Sequence, residues 1–265
     1  MTRVLASELR KLVTTRTWLV LIIVSAAAGA AGAGLYGAVV MSVAGEGSAF
    51  QQANGMALVY TGGNQFVRII AIVAGALAMG AEYRHRTLAT SYLAVPRRTQ
   101  VALGKGVITL GYGLALGLAS AILGFVVAAG FVIATDGSLL LGRASTWQAI
   151  GMNVVTVGLW AMIGYGLGIL IRNMIVSVLV AVAFAYIVEP ILALVLSLQE
   201  WTAVSNLMPT NATSALIGVD AAGMMGVSGV LADSWPPGVA LIVLIGWAVV
   251  PAVLGYLLVL RTDIA

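Results

Sequence analysis

Four intervals of this sequence contain no charged residue, and each is longer than the roughly 20 residues that an α-helix needs to cross the hydrocarbon core of a bilayer. They comprise residues 17–45, 106–135, 144–171 and 234–260. Hydrophobic residues make up 61% of the chain and charged residues only 8%, whereas soluble domains carry about 25% charged residues. The sequence therefore predicts an integral membrane protein in which these four intervals are transmembrane helices.

Two further apolar intervals are each interrupted by one charge. Arg68 interrupts residues 47–81, and Glu189 interrupts residues 173–199. Counting both gives six spans and places eleven of the thirteen basic residues on one side of the membrane: Arg3, Arg10, Lys11, Arg16, Arg84, Arg86, Arg97, Arg98, Lys105, Arg172 and Arg261. Short loops rich in Lys and Arg stay in the cytoplasm, so both termini are predicted to be cytoplasmic. Omitting either interrupted span would scatter these charges over both sides.

The expected fold is an all-α integral membrane protein with one transmembrane domain over residues 1–265. Three segments are predicted not to span. Residues 1–16 form an amphipathic arm that lies in the inner interface, with Val4, Leu5, Leu9, Leu12 and Val13 on one side and Arg3, Glu8, Arg10 and Lys11 largely on the other. Residues 82–96 form a short cytoplasmic helix that ends at Pro96. Residues 200–235 form a re-entrant or interface-lying external segment.

Several kinds of chemistry are disfavoured by the residue types present. The chain has no cysteine, and His85 is its one histidine, so neither a serine/histidine dyad within the membrane nor a histidine metal cluster can be assembled. The string Gly104-Lys105-Gly106 lacks the spacing and the hydroxyl of a phosphate-binding loop. No cofactor is expected in this chain. A nucleic-acid partner is not expected either, since topology accounts for the net charge of +4.

Several short motifs occur in an order that resembles one family. Glu8-Leu9-Arg10-Lys11-Leu12 and Thr14-Thr15-Arg16-Thr17-Trp18 precede the first span; Glu82-Tyr83-Arg84-His85, Thr87-Leu88 and Pro96-Arg97-Arg98 follow the second; Val188-Glu189-Pro190 lies in the fifth, and Leu207-Met208-Pro209 follows it. Their order on a six-span plan resembles the permease subunits of ABC-2 type exporters, especially small actinobacterial ones. Arg68 and Arg86 depart from that family's pattern.

The resemblance implies a function in a bacterial cell membrane. Two copies of a separate ATPase, which binds ATP and Mg, would drive two permease copies, as a homodimer or a heterodimer. A small amphipathic, lipid-like or drug-like substrate would move outward by alternating access. Spans two and five would line the path. Residues 82–96 would be the coupling helix that contacts the ATPase, through Glu82, Tyr83, Arg84, His85, Thr87, Leu88 and Tyr92.

Two other functions remain open on the residues alone. An ion-coupled secondary transporter would use Glu189 as its proton or cation site. An intramembrane enzyme is the third candidate, weakened by the missing dyad and metal ligands.

Arg68 and Glu189 are predicted to lie at similar depth, about 21 and 25 Å from the inner ends of their spans. Charges inside a membrane usually face a cavity or pair with each other, so an Arg68–Glu189 ion pair is expected. In the alternative interpretations, Arg68 reaches the outer head groups and Glu189 is satisfied by hydroxyl groups or water at a Pro190 kink.

Overall fold

The computed structural model describes residues 2–44, 53–85, 98–134, 138–199, 201–219 and 235–260. All regular secondary structure in these ranges is helical. In chain order the helices are α1 (Thr2–Thr14), α2 (Thr17–Ala44), α3 (Ala53–Thr61), α4 (Asn64–His85), α5 (Arg98–Ala134), α6 (Ala144–Leu170), α7 (Met174–Ala183), α8 (Glu189–Leu198), α9 (Thr202–Ser205), α10 (Pro209–Ile217) and α11 (Pro237–Gly255). Two π-helical segments, Phe184–Val188 and Tyr256–Leu260, come after α7 and α11.

Six segments of the described chain are long and apolar enough to cross a membrane. The first, third and fourth spans are α2, α5 and α6, and the sixth is α11 with the π-helical segment after it. The second consists of α3 and α4, and the fifth of α7, a π-helical segment and α8. The prediction of an all-helical multi-pass membrane protein is confirmed at this level.

The second span is broken at Gly62 and Gly63, between α3 and α4. The first span passes so close to this break that a Cβ atom added at Gly32 would lie 2.3 Å from the backbone nitrogen of Gly63. A Cβ atom at Gly63 would lie 2.4 Å from the Cα atom of Gly29. Glycine is therefore required on both sides of this contact, because any side chain would force the two backbones apart.

The second and fourth spans form the centre of the bundle. In their most apolar stretches 56% and 67% of the residues are buried, compared with 17% in the fifth span. Their backbones touch: a Cβ atom at Gly75 would lie 1.9 Å from the carbonyl oxygen of Ala161, and one at Gly164 would lie 2.2 Å from that of Ile72. Small residues of the sequence thus serve packing between helices of one chain.

The first and last described segments of the chain lie at the same end of the bundle, which we call the arm end. The arm α1 contacts the start of α5 there, and the side chain of Lys11 reaches Glu82 near the end of α4. Val259 packs at this end against Met79 and Ile169. The predicted alternation of six spans is consistent with this arrangement.

The fifth span contains a π-helical turn directly before Glu189. The backbone N–H of Glu189 donates to the carbonyl oxygen of Phe184, five residues earlier. Pro190 has no N–H to continue the α-helical pattern, so the span changes its hydrogen bonding at this point. The Glu189 side chain therefore leaves the span at an irregular turn.

Two of the predicted non-spanning segments are partly helical in the residues that the structure describes. Glu82 to His85 are the last turn of α4, and the rest of the predicted coupling helix, residues 86–96, lies outside the described residues. In the predicted external segment, α10 packs against the fourth and sixth spans and buries Ala212, Thr213 and Leu216. Residues 220–234 lie outside the described ranges.

The close contact between α4 and α6 predicts unequal effects of two glycine substitutions in the same helix. Gly164→Ala should destabilise the protein by about 1–3 kcal/mol, because the new methyl group overlaps the backbone of Ile72. Gly151→Ala meets nothing within 4 Å and should leave stability unchanged or slightly raised. Chemical unfolding in detergent measures both; equal stabilities would contradict the packing described here.

Candidate functional site

Two buried charges and one hydroxyl group form a polar bridge away from the arm end. Arg68 is the fifth residue of α4 and is 6% exposed, and Glu189 begins α8 and is 0% exposed. The Thr210 hydroxyl accepts a hydrogen bond from Nη1 of Arg68 at 2.9 Å and donates one to Oε2 of Glu189 at 2.7 Å. The backbone N–H of Thr210 donates to Oε1 of Glu189 at 2.5 Å. We call these three residues the Thr210 bridge.

The predicted direct ion pair between Arg68 and Glu189 is therefore replaced by a bridged one. These two described side chains make no salt-bridge contact with each other, because the hydroxyl of Thr210 lies between them. The alternative in which Arg68 extends to the outer head groups is also wrong, since this side chain is buried. Glu189 accepts a hydrogen bond from a hydroxyl group, as the other alternative predicted. This hydroxyl group belongs to Thr210 in α10 and does not come from the Pro190 kink.

Aromatic rings hold the guanidinium group of Arg68 in place. Its central carbon lies 5.0 Å from the ring centre of Trp160 and 5.9 Å from that of Tyr186. Trp160 also donates from its indole nitrogen to the Thr213 hydroxyl at 3.0 Å. A desolvated cation gains electrostatic stabilisation from ring faces at these distances, so the fourth and fifth spans both position this cation.

A second polar group of the bundle lies one helical turn from Arg68. The side-chain amide of Asn64 donates to Oδ1 of Asn153 at 2.7 Å and to the Thr156 hydroxyl at 3.1 Å. All three side chains are buried. Hydrogen bonds between neutral side chains stabilise contacts between membrane helices by roughly 0.6 kcal/mol each, so this group fixes the second span against the fourth.

A cavity of about 70 Å³ adjoins these groups. Its walls come from the first span, both helices of the second span, and α10. Arg68 and Thr210 line it, together with Tyr36, Thr61, Asn64 and Ser214. A polar cavity of this size is large enough for one or two water molecules or a small ion.

At the arm end, two carboxylates and two ammonium groups form a compact ionic cluster. Nζ of Lys105 lies 2.5 Å from Glu8 and 3.0 Å from Glu82, and Nζ of Lys11 lies 2.6 Å from Glu8 and 3.0 Å from Glu82. Glu8, Glu82 and Lys105 are buried, and Lys11 is half-exposed. The cluster fastens the arm to the end of the second span and the start of the third.

The charges of this cluster shift two pKa values in opposite directions. Burial raises the pKa of Glu8, but the positive charge and hydrogen bond of Lys105, aided by Lys11, outweigh burial and leave the pKa below its ordinary value. Burial lowers the pKa of Lys11, but its hydrogen bonds to Glu8 and Glu82 outweigh this and raise the pKa. Both groups are thus held in their charged forms.

The seven residues predicted to contact an ATPase do not share one environment. Four of them form the last turn of α4, and three lie outside the described residues. Glu82 is buried in the ionic cluster, and the hydroxyl of Tyr83 donates to the carbonyl oxygen of Ile169 at 3.1 Å. Arg84 is exposed, and His85 ends α4. The remaining predicted contacts, Thr87, Leu88 and Tyr92, lie outside the described residues. Of the seven, Glu82 and Tyr83 thus have partners within the chain.

Sequence reasoning misses Thr210, Glu8 and Lys105 as members of these sites. Thr210, Thr213 and Ser214 come after Pro209 at a spacing that places hydroxyl groups close together on a helix, which is the available signal for α10. The amphipathic pattern assigns Glu8 to the outward polar face of the arm, but its pairing with Lys105 buries it. Lys105 belongs by its charge to the predicted second loop, whereas α5 already begins at Arg98.

A comparison with models of known protein families found no match, and a comparison with curated proteins found no similar sequence. Within the described residues, no cluster of three or more His, Cys, Asp or Glu side chains could hold a metal ion. The function of this chain is therefore proposed from its own sequence motifs and geometry.

The Thr210 bridge predicts a large difference between two substitutions of similar size. Thr210→Val removes the hydroxyl group and leaves Arg68 and Glu189 facing each other without their common partner, at a cost of about 1–3 kcal/mol. Thr210→Ser keeps the hydroxyl group and should stay close to the original stability. Unfolding in detergent measures both, and a Val variant as stable as the Ser variant would contradict the bridge.

Exchanging the two charges should not restore stability. In Arg68→Glu combined with Glu189→Arg, the backbone N–H of Thr210 would face a guanidinium donor instead of a carboxylate acceptor. We expect the double variant to remain destabilised, whereas a direct ion pair would be rescued by the exchange. The same unfolding assay, applied to both single variants and the double variant, distinguishes the two outcomes.

The ionic cluster predicts that the arm detaches at low pH. Because the pKa of Glu8 is lowered on docking, its contribution is present above its ordinary value of 4.5 and is lost as the pH falls through the lowered value. Because the pKa of Lys11 is raised, its contribution is complete below 10.5 and is lost as the pH rises through the raised value. The arm should therefore be docked across neutral pH.

Spin labels on Leu9→Cys and Leu103→Cys can follow this docking, since the chain contains no cysteine. Both positions are exposed, at the arm and at the start of the third span. The distance distribution should be narrow at pH 7 and broaden in acid, and Glu8→Gln should broaden it already at pH 7. A Glu8→Gln distribution that stays as narrow at pH 7 as that of the original chain would contradict this role of Glu8.

Proposed function

We propose that this chain is the membrane-spanning permease subunit of an ATP-driven exporter, of the ABC-2 type that its motifs resemble. It would work with a separate ATPase, two copies per complex, and with a second permease copy. A small amphipathic substrate would be moved outward without covalent change. The membrane would be the bacterial plasma membrane, with both termini in the cytoplasm.

One observation carries the proposal: a single uninterrupted helix joins the ionic cluster to the Thr210 bridge. Glu82 and Arg68 both belong to α4 and are 14 residues apart, which corresponds to about 21 Å of helix. A displacement of the arm end of α4 is therefore transmitted to Arg68 as a rigid-body movement. This is the mechanical link that a permease driven from the cytoplasm needs.

The chain segment directly after α4 fits the role of an ATPase contact. Residues 86–97 come directly after α4 and contain Arg86 and Arg97, with Leu88 and Tyr92 between them. Apolar side chains between charges on the cytoplasmic side are typical of a docking surface. Closure of two partner ATPases would push these segments together and tilt α4.

The Thr210 bridge supplies an element with two arrangements. When α4 tilts, Arg68 moves relative to Glu189. Thr210, at the start of α10, would then keep its hydrogen bond to one of the two charges and lose its hydrogen bond to the other. Each arrangement would open the cavity towards one side of the membrane. Alternation between discrete packings is how small displacements become large transitions in membrane carriers.

A second candidate, an ion-coupled secondary transporter, is favoured by one observation. Glu189 is fully buried next to a π-helical turn and reaches the polar cavity through Thr210. Intramembrane carboxylates in such positions often carry protons or cations. In this case the energy would come from an ion gradient, and no ATPase would bind residues 86–97.

The two candidates predict different partners and energy sources. After purification in mild detergent, the first predicts that an ATP-binding polypeptide accompanies the chain. In inverted vesicles with a fluorescent amphipathic dye in the medium, dye uptake should stop on ATP depletion and survive collapse of the ion gradients. Transport that follows the ion gradient without ATP would favour the second candidate.

Substitutions in the proposed contact provide the matched control. Leu88→Asp with Tyr92→Asp should release the ATPase and abolish dye transport while leaving membrane insertion intact, because charge is placed on the apolar surface. Arg97→Ala with Arg98→Ala should retain most transport, since these side chains contact lipid head groups in this proposal. Transport at the normal rate in the first variant would refute the assigned contact.

A further inference from the structure

The cavity beside the Thr210 bridge contains a cation but no acidic side chain. Arg68 lines it, whereas Glu189 does not, because both oxygens of Glu189 are directed to Thr210. No other aspartate or glutamate is among the lining residues that the structure describes. Among the described residues that line the cavity, the charged side chain is therefore a cation.

One buried hydrogen-bond donor of the cavity-lining residue Arg68 has no acceptor among the described residues. Nε of Arg68 is buried and has no hydrogen-bond partner among the described residues. Tyr36 and Ser214 bring two hydroxyl groups to the same cavity, and no hydrogen bond of either hydroxyl to the described part of the chain is found. A buried donor without an acceptor is costly, so a ligand that accepts hydrogen bonds would be stabilised here.

We propose that this cavity is a binding site for a small monovalent anion, either a halide or a carboxylate group. A guanidinium group with two hydroxyl donors matches the hydrogen-bonding capacity of either anion. The volume of about 70 Å³ admits a halide or a carboxylate group. Leu58, Ile217 and Val219 add an apolar wall, against which the chain of an amphipathic carboxylate would lie.

Anion binding does not depend on the proposed function, but the identification of the anion as part of a transported molecule does rest on it. The anion could be a free ion or the charged group of an amphipathic molecule, and comparing a free ion with an amphipathic one distinguishes these two sources. The thermal-unfolding midpoint of the purified chain in detergent is recorded against sodium bromide, sodium acetate or sodium octanoate. Ionic strength is held constant with a bulky sulfonate salt that the cavity excludes.

The site predicts saturable stabilisation by bromide and acetate. Octanoate binding about tenfold tighter than acetate, which corresponds to roughly 1.4 kcal/mol, would identify an amphipathic carboxylate as the ligand. Equal affinity for the three salts would identify a free anion. Because no ATPase is present in this assay, a failure of the proposed transport function leaves its result unchanged.

Variants that spare the Thr210 bridge test the location of the site. Tyr36→Phe and Ser214→Ala should each weaken binding about fivefold to tenfold through the loss of one hydrogen bond, and Ser214→Leu should abolish it by filling the cavity. Ser42→Ala, at an exposed serine of the first span, should bind like the original chain. Absence of saturable binding, or unchanged binding in Ser214→Leu, would overturn the proposal.

Discussion

The hydroxyl group of Thr210 is the contact on which the centre of this molecule depends. It satisfies an arginine and a glutamate that would otherwise lie opposite each other in an apolar environment, where an unpaired charge costs several kcal/mol. Both charges come from spans, and the hydroxyl comes from a short helix between the fifth and sixth spans. The position of α10 is thereby fixed, and with it the hydrogen bond from Trp160 to Thr213 and the walls of the cavity.

The second span connects this bridge to the other polar site of the chain. Its α4 helix packs backbone to backbone against the fourth span at Gly75 and Gly164, where no side chain separates the two helices. Glu82 at its arm end is held by Lys11 and Lys105. Buried ion pairs are weak sources of stability but strong selectors of one arrangement. The two polar sites therefore specify where each end of α4 lies, and the close backbone contacts between them hold α4 against the fourth span.

Much of the fold could be predicted from the sequence, because charge-free length sets four of the six spans and the distribution of basic residues supports the other two. The six candidate spans, with Arg68 and Glu189 inside the second and the fifth, follow from these two properties. The Thr210 bridge could not be predicted, because it joins residues 142 positions apart through a neutral side chain that no hydropathy pattern distinguishes. The burial of Glu8 escapes prediction for a similar reason: the amphipathic pattern of the arm assigns it to the polar face, and only its contact with Lys105 places it inside.

If α4 transmits displacement between its two polar ends, hydrogen–deuterium exchange will detect the coupling. The amide of Thr210 donates to Glu189, so the peptide covering residues 209–217 should exchange slowly in the original chain. Lys105→Met removes a contact of Glu82 at the arm end, which about 21 Å of α4 separates from Arg68 and its partner Thr210. A rigid α4 predicts that this variant raises exchange at residues 209–217 as well as in the arm, whereas Gly151→Ala does not. Faster exchange confined to the arm and the start of the third span would contradict a transmitting α4.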